Sequence, residues 1–123
     1  MLTIKHLIAA TAAAGVLAPA AAPAVAAPAA CASQQASVKA DRAALHADRT
    51  KLKADRDAIK ADRSQLRKDR AAGDSAAVAA DKTKLKADLA QWRSDRRTRR
   101  SHEHQLHQDR RALRSCLRAN RGH

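Results

Sequence analysis

Ala40-Asp41-Arg42, Ala47-Asp48-Arg49, Ala54-Asp55-Arg56 and Ala61-Asp62-Arg63 repeat one phrase at a spacing of seven residues, and Lys68-Asp69-Arg70 closes the run as a variant. One aliphatic residue keeps the same beat: Val38, Leu45, Leu52, Ile59 and Leu66. A seven-residue period with a single recurring apolar slot marks a long helix that lies against another helix. Ser33 or Ser37 offers an N-cap, and the period carries the helix to about Ala72.

Gly73-Asp74-Ser75 then interrupts the pattern. Glycine suits the left-handed position that ends a helix, and Asp or Ser suits the cap of the next one. Phase supports a true break. Leu66 and Val78 stand 12 residues apart, which at about 100° per residue swings the apolar stripe by about 120°, whereas a regular heptad drifts only ~20°. One continuous helix would carry its stripes on different faces, and a turn removes the conflict.

Beyond the turn the beat resumes. Asp74, Asp81, Asp88, Asp95 and Asp109 mark it, with His102 and Cys116 in the remaining slots, and Val78, Leu85, Trp92, Leu106 and Leu113 serve as apolar markers, Arg99 being the one default. The second helix is expected to end near Ala119, before Asn120-Arg121-Gly122. Folding it back on the first brings together residues whose numbers add to nearly 147. Leu45 then meets Leu106, Leu52 meets Trp92, and both Ile59 and Leu66 meet Leu85, in an interdigitated seam. Cys31 and Cys116 become level at the open end, where a disulfide would close the loop. The fold class expected is therefore all-α, an antiparallel, coiled-coil-like two-helix hairpin.

The first 26 residues read as a secretory signal peptide. Lys5 supplies a positive start, an apolar run extends to Leu17, and Ala24-Val25-Ala26 fits a small-x-small cleavage site, with Ala27-Pro28-Ala29 as a second choice. The apolar run is too short for a membrane span of about 20 residues, and Pro19, Pro23 and Pro28 interrupt its continuation. Residues 27–33 are expected to form a short linker, and residues 34–123 the hairpin, with its turn at 73–75. Export to the periplasm or the extracellular space also suits the paired cysteines. The 123-residue chain is 45% hydrophobic, but most of that is alanine, and it has one Trp, no Phe and no Tyr. Such a composition excludes a β-sandwich, a barrel or an α/β core.

Cleavage after Ala26 removes one basic side chain, Lys5, and no acidic one, which leaves 24 against 12 and a net charge of +12. The surplus is uneven. Residues 34–72 carry 11 basic and 6 acidic side chains, residues 74–92 carry 3 of each, and residues 93–123 carry 10 and 3. The Arg-rich C-terminal half, with Arg93, Arg96, Arg97, Arg99, Arg100, Arg110, Arg111 and Arg114, is the candidate surface for polyanions: an acidic cell-wall polymer, anionic lipid or a nucleic-acid backbone. Base-specific reading is not expected, because there is no aromatic platform for stacking and no DNA-reading motif. The Asp-Arg heptads themselves read as a solvated charged border beside the seam, adding pairs such as Lys51 with Asp55, Lys53 with Asp57 and Lys84 with Asp88 at about 0.2–0.5 kcal/mol each.

Ser101-His102-Glu103-His104-Gln105-Leu106-His107 is the one cluster with metal-ligand residue types. His104 and His107 share a face, and Glu103 can reach His107, so these three are the candidate ligands. Neither a nucleophile elbow nor a glycine-rich phosphate loop occurs, and no enzyme or cofactor is expected. The leading expectation is an exported, non-catalytic polyanion-binding protein. Alternatives are a chaperone-like or structural coiled-coil module of the envelope and a histidine-cluster metal binder. A second copy could pair along the hairpin's open edge to make a homodimer.

Cys31-Ala32-Ser33 leading into helical heptads resembles the start of bacterial murein lipoproteins over roughly forty residues, a resemblance that implies a lipidated Cys31. The chain departs from that pattern in Pro28-Ala29-Ala30 ahead of the cysteine and in its Gly122-His123 end. The small helical stress chaperones of the periplasm are similar in class, but their Leu-Thr-x-x-Gln motif does not occur here.

Overall fold

A computed structural model describes residues 29–121; the expected signal peptide at residues 1–26 lies outside them. Two long helices, α1 (Ala32–Ala72) and α2 (Ser75–Ala119), pack against each other along their lengths, and a single 3₁₀ turn, Ala29–Cys31, precedes α1. No strand occurs among the described residues. At 1.5 Å per residue, α1 with its 41 residues is about 60 Å long.

Alanine, leucine, lysine, arginine and aspartate fill both helices, and Gly and Pro are absent from their interiors, so local propensity does not oppose the pattern. α1 stops at Gly73, the one residue among those described with positive φ, at 73°. The Gly73 amide donates to the Arg70 carbonyl at 3.1 Å and the Asp74 amide to the Asp69 carbonyl at 3.1 Å. This is the paired pattern that satisfies the last carbonyls of a helix when its next residue turns left-handed. Asp74 then caps α2, its carboxylate accepting from the Ala77 amide at 3.1 Å. The break expected from the phase of the stripes is a two-residue turn.

The start of α1 differs from the expected one. Helix begins at Ala32, with Cys31 at the cap position and no side-chain capping bond, so most of the segment expected as a linker at 27–33 is 3₁₀ or helical. Ser33 donates to Gln34, and Ser37 donates back to the Ser33 carbonyl at 3.1 Å. Neither caps. The cystine holds this end in place instead of a cap.

The seam is asymmetric. Val38, Leu45, Leu52, Ile59 and Leu66 of α1 are all buried, whereas α2 buries Leu106 and leaves Leu85, Leu89, Trp92, Leu113 and Leu117 partly exposed. Near the open end Val38, Leu45 and Leu106 form one cluster, with Leu113 packed against it. Leu106 sitting with both Val38 and Leu45 is the interdigitation that the register of 147 requires.

Cys31 and Cys116 are bonded, with an S–S distance of 2.08 Å, Cα atoms 5.9 Å apart and 85 residues of separation in the chain. Cys31 is fully buried, and its sulfur has no thiol left to carry a lipid. Asn120 closes over the bridge: its amide donates to the Cys116 carbonyl at 2.8 Å and lies 3.7 Å from the Cys31 sulfur. Bridge and turn thus seal opposite ends of the rod.

Candidate functional site

The repeated aspartates do not form the solvated border expected of them. They point into the seam. Asp48, Asp62 and Asp95 are at most 7% exposed, and Asp41, Asp55, Asp69, Asp81, Asp88 and Asp109 are half-buried. The reason is geometric: with the aliphatic residue at heptad position a, Asp occupies d, the other position that faces the partner helix. Most layers of the hairpin therefore mix an aliphatic side chain with a carboxyl group.

Across the seam these side chains meet in a ladder. Asp48 accepts from the Nδ1 of His102 at 2.6 Å. The carboxyls of Asp41 and Asp109, Asp55 and Asp95, Asp62 and Asp88, and Asp69 and Asp81 lie within hydrogen-bonding reach of one another. Two lysines reach in from the flanks. Lys51 bonds Asp95 across the seam at 3.1 Å rather than the expected Asp55 on its own helix, and Lys84 bonds Asp62 while extending toward Asp88. The Lys84 ammonium holds Asp62 below the usual carboxylate range, and Asp62 in turn raises Lys84. The Gln91 amide, at 3.1 Å, is the main cause of the lowered value at Asp95, with Lys51 adding to it.

The opposite face of α2 is cationic. Arg93, Arg97, Arg100, His104, His107, Arg111, Arg114 and Arg118 succeed one another at alternating steps of four and three residues, which places them on one face of a helix. All eight are exposed, and none forms an ion pair with a carboxylate among the described residues. The row is about 38 Å long, with one cationic or histidine side chain for each ~5 Å of rise. Near its start, Arg93, Arg96, Arg97 and Arg100 surround a shallow concavity.

Of the arginines singled out from the sequence, Arg93, Arg97, Arg100, Arg111 and Arg114 belong to this row. Arg96 and Arg110 are exposed beside it, and Arg96 also stacks over the Trp92 ring, 4.7 Å from its centroid. Arg99 is different. It is half-buried, and its guanidinium is committed to Glu103 at 2.8 Å. Arg118 was not among the sequence candidates, although counting basic residues by helix face rather than by segment finds it.

The three candidate metal ligands are not brought together. Glu103 pairs with Arg99, the imidazole of His104 accepts from the Gln108 amide at 3.1 Å, and His107 is exposed. No group of three or more His, Cys, Asp or Glu side chains among the described residues is placed to hold a metal ion.

A second concavity, of about 260 Å³, lies on the hairpin's flank, where Ile59, Leu89 and Trp92 form an apolar floor and Arg56, Lys60 and Arg63 a basic rim. No helix among the described residues is long and apolar enough to cross a membrane. Comparison with protein-family models, with curated proteins and with solved structures finds no match to this chain.

Proposed function

We propose that this protein is an exported, non-catalytic binder of polyanions, and that the outer row of α2 is its binding face. The carrying observation is the segregation of charge: the carboxylates that could neutralise the arginines are turned inward, and the row from Arg93 to Arg118 is left without an acidic partner among the described residues. A linear array of guanidiniums held on a stiff rod matches a linear array of phosphate, sulfate or carboxylate groups. Attraction to such a polymer comes chiefly from the counterions it releases, so it weakens steeply with salt. Guanidiniums also offer forked donors that suit oxyanions. The cystine supports an oxidising compartment, and the sequence of residues 1–26 supports export by a signal peptide.

The test is retention on heparin and on vesicles of anionic lipid, each across a salt gradient. The parent is expected to bind both and to elute with salt. Replacing Arg97, Arg100, Arg111 and Arg114 together by Gln is expected to move elution to markedly lower salt while leaving the helical signal unchanged. Retention that ignores salt, or that survives the fourfold replacement, would overturn the reading.

A further inference from the structure

The seam holds a second kind of site. One carboxyl oxygen on each of Asp41, Asp55, Asp62, Asp81 and Asp95 is buried from water and has no donor in reach among the described residues. An ionised carboxylate can only accept, so two of them facing each other have nothing to exchange. A buried polar group without a partner is expensive, and two like charges at contact distance are more so. Nevertheless the fold sets carboxyl against carboxyl in four places along the rod. At the fifth place of the ladder a ring nitrogen of His102 donates to Asp48. What that slot calls for is a donor.

We propose that the seam binds protons: Asp41 with Asp109, Asp55 with Asp95, Asp62 with Asp88, and Asp69 with Asp81 each share one, so that the hairpin is tightest in mild acid and loosens as the pH rises. A shared proton turns each clash into an O–H···O⁻ hydrogen bond, the short, charge-assisted kind. The other groups that face these pairs are Lys51 and Gln65 from α1, and Lys84, Gln91, His102 and Gln105 from α2, Gln65 donating to Asp69 and Gln105 to Asp109 at 3.1 Å. Among the described residues, only the Asp55–Asp95 and Asp62–Asp88 pairs have a lysine bonded to them. The Asp41–Asp109 and Asp69–Asp81 pairs have no ion-pair partner among the described residues.

The direction of each titration agrees. Asp41 and Asp55 are raised above the ordinary 3.8, first by burial and then by the opposing carboxylate. Asp81 and Asp88 are raised first by the hydrogen bond to Asp69 and to Asp62 respectively, and then by burial. Carboxyls raised in the folded state keep their protons where the unfolded chain has lost them. Folding therefore gains as pH falls toward the ordinary 3.8, and that gain is lost as pH climbs through the raised values. Asp62 and Asp95 are lowered, and what they contribute is present above 3.8 and lost as pH falls below it. Maximum stability therefore lies on the acid side of neutrality, where each pair holds one proton.

This sign is opposite to the default. A chain with a large positive net charge gains more charge in acid and should repel itself apart.

The experiment is a series of thermal melts of the disulfide-closed protein from about pH 2.5 to pH 8 at fixed ionic strength, monitored by helical signal. The melting temperature is expected to rise by about 5 °C or more as pH falls from about 7.5 to about 4.5, and to drop again below about 3.5. Asn offers the missing donor without titrating. Asp41→Asn, Asp55→Asn and Asp81→Asn combined should therefore melt at about pH 7.5 no lower than the parent and should lose most of the rise. Asp57→Asn, at an exposed residue outside the seam, should keep the rise in full. A parent that melts lower in mild acid than near neutrality would overturn the proposal. So would a triple variant that keeps the full rise, or a parent whose melting near neutrality is lifted to its acid value by calcium or magnesium, since a metal ion rather than a proton would then be the natural occupant.

Discussion

The inner and outer faces of α2 keep the same seven-residue time and carry opposite charge. Inside, Asp81, Asp88, Asp95 and Asp109 are set against the aspartates of α1; outside, Arg93, Arg97, Arg100, Arg111 and Arg114 are exposed to solvent. A sequence that mixes Asp and Arg so evenly along its length would ordinarily pair them locally, at i and i+4, and present a nearly neutral surface. Here the helix sorts them by direction instead. Acidic groups are used within the seam and basic ones are left over for the outside, which is how a protein with 12 acidic side chains presents a continuous cationic face. Changes inside should therefore register as stability, and changes outside as binding.

The largest expected effect is on the element that holds both faces in register. Replacing Cys31 and Cys116 together by Ser opens a loop of 85 residues and should cost about 4–5 kcal/mol, the chain-entropy value for a loop of that size. Urea melts of the two forms measure it, and a loss below about 1 kcal/mol would mean that the seam alone sets the register. Next comes the apolar part of the seam. Leu45→Ala, at a side chain 7% exposed and packed on Leu106, should cost about 2–4 kcal/mol in the same assay. Leu117→Ala, at a partly exposed position, should cost clearly less, and equal losses would contradict the burial asymmetry between the helices. Smallest of all is the outer row: Arg97→Gln with Arg111→Gln should shift stability by less than about 0.5 kcal/mol. The same pair should lower the slope of log affinity for a phosphate polymer against log salt by roughly 0.7–0.9 per charge removed that contacts a phosphate. A variant pair that unfolds the protein and leaves the slope alone would reverse the assignment of the two faces.

Much of the architecture was legible in the residues. The heptads imply helices that lie against each other, the phase step between Leu66 and Val78 demands a turn, and the resulting register places Cys31 opposite Cys116. Each inference rests on periodicity, which depends on backbone geometry and survives almost any choice of side chain. The direction of the aspartates was less legible, because a charged residue in a small helical protein is nearly always in water. A signal was nonetheless present: His102 and Cys116 occupy the same heptad slot as the aspartates of α2, and the slot that holds the cystine cannot be a solvated one. The outer row was missed in part for a different reason. Charge counted by segment includes Arg99, which is spent on Glu103, and overlooks Arg118, whereas the helix presents charge by face. Start signals were the weakest guide, since α1 begins at the cystine, before Ser33 and Ser37.

The doubling back at Gly73 is the claim on which both faces depend, and a distance measured within one molecule tests it most directly. Spin labels at Ala40 and His107, both exposed, sit on neighbouring helices whose axes should be about 8–10 Å apart. Pulsed dipolar spectroscopy of the Cys31→Ser, Cys116→Ser protein, diluted with unlabelled chain, is expected to give a single distance of about 2–3 nm once the label arms are included. A distance near 10 nm, the span of the intervening residues at about 1.5 Å each, would mean one unbroken rod and would contradict the hairpin, the carboxyl ladder and the sorted charge together.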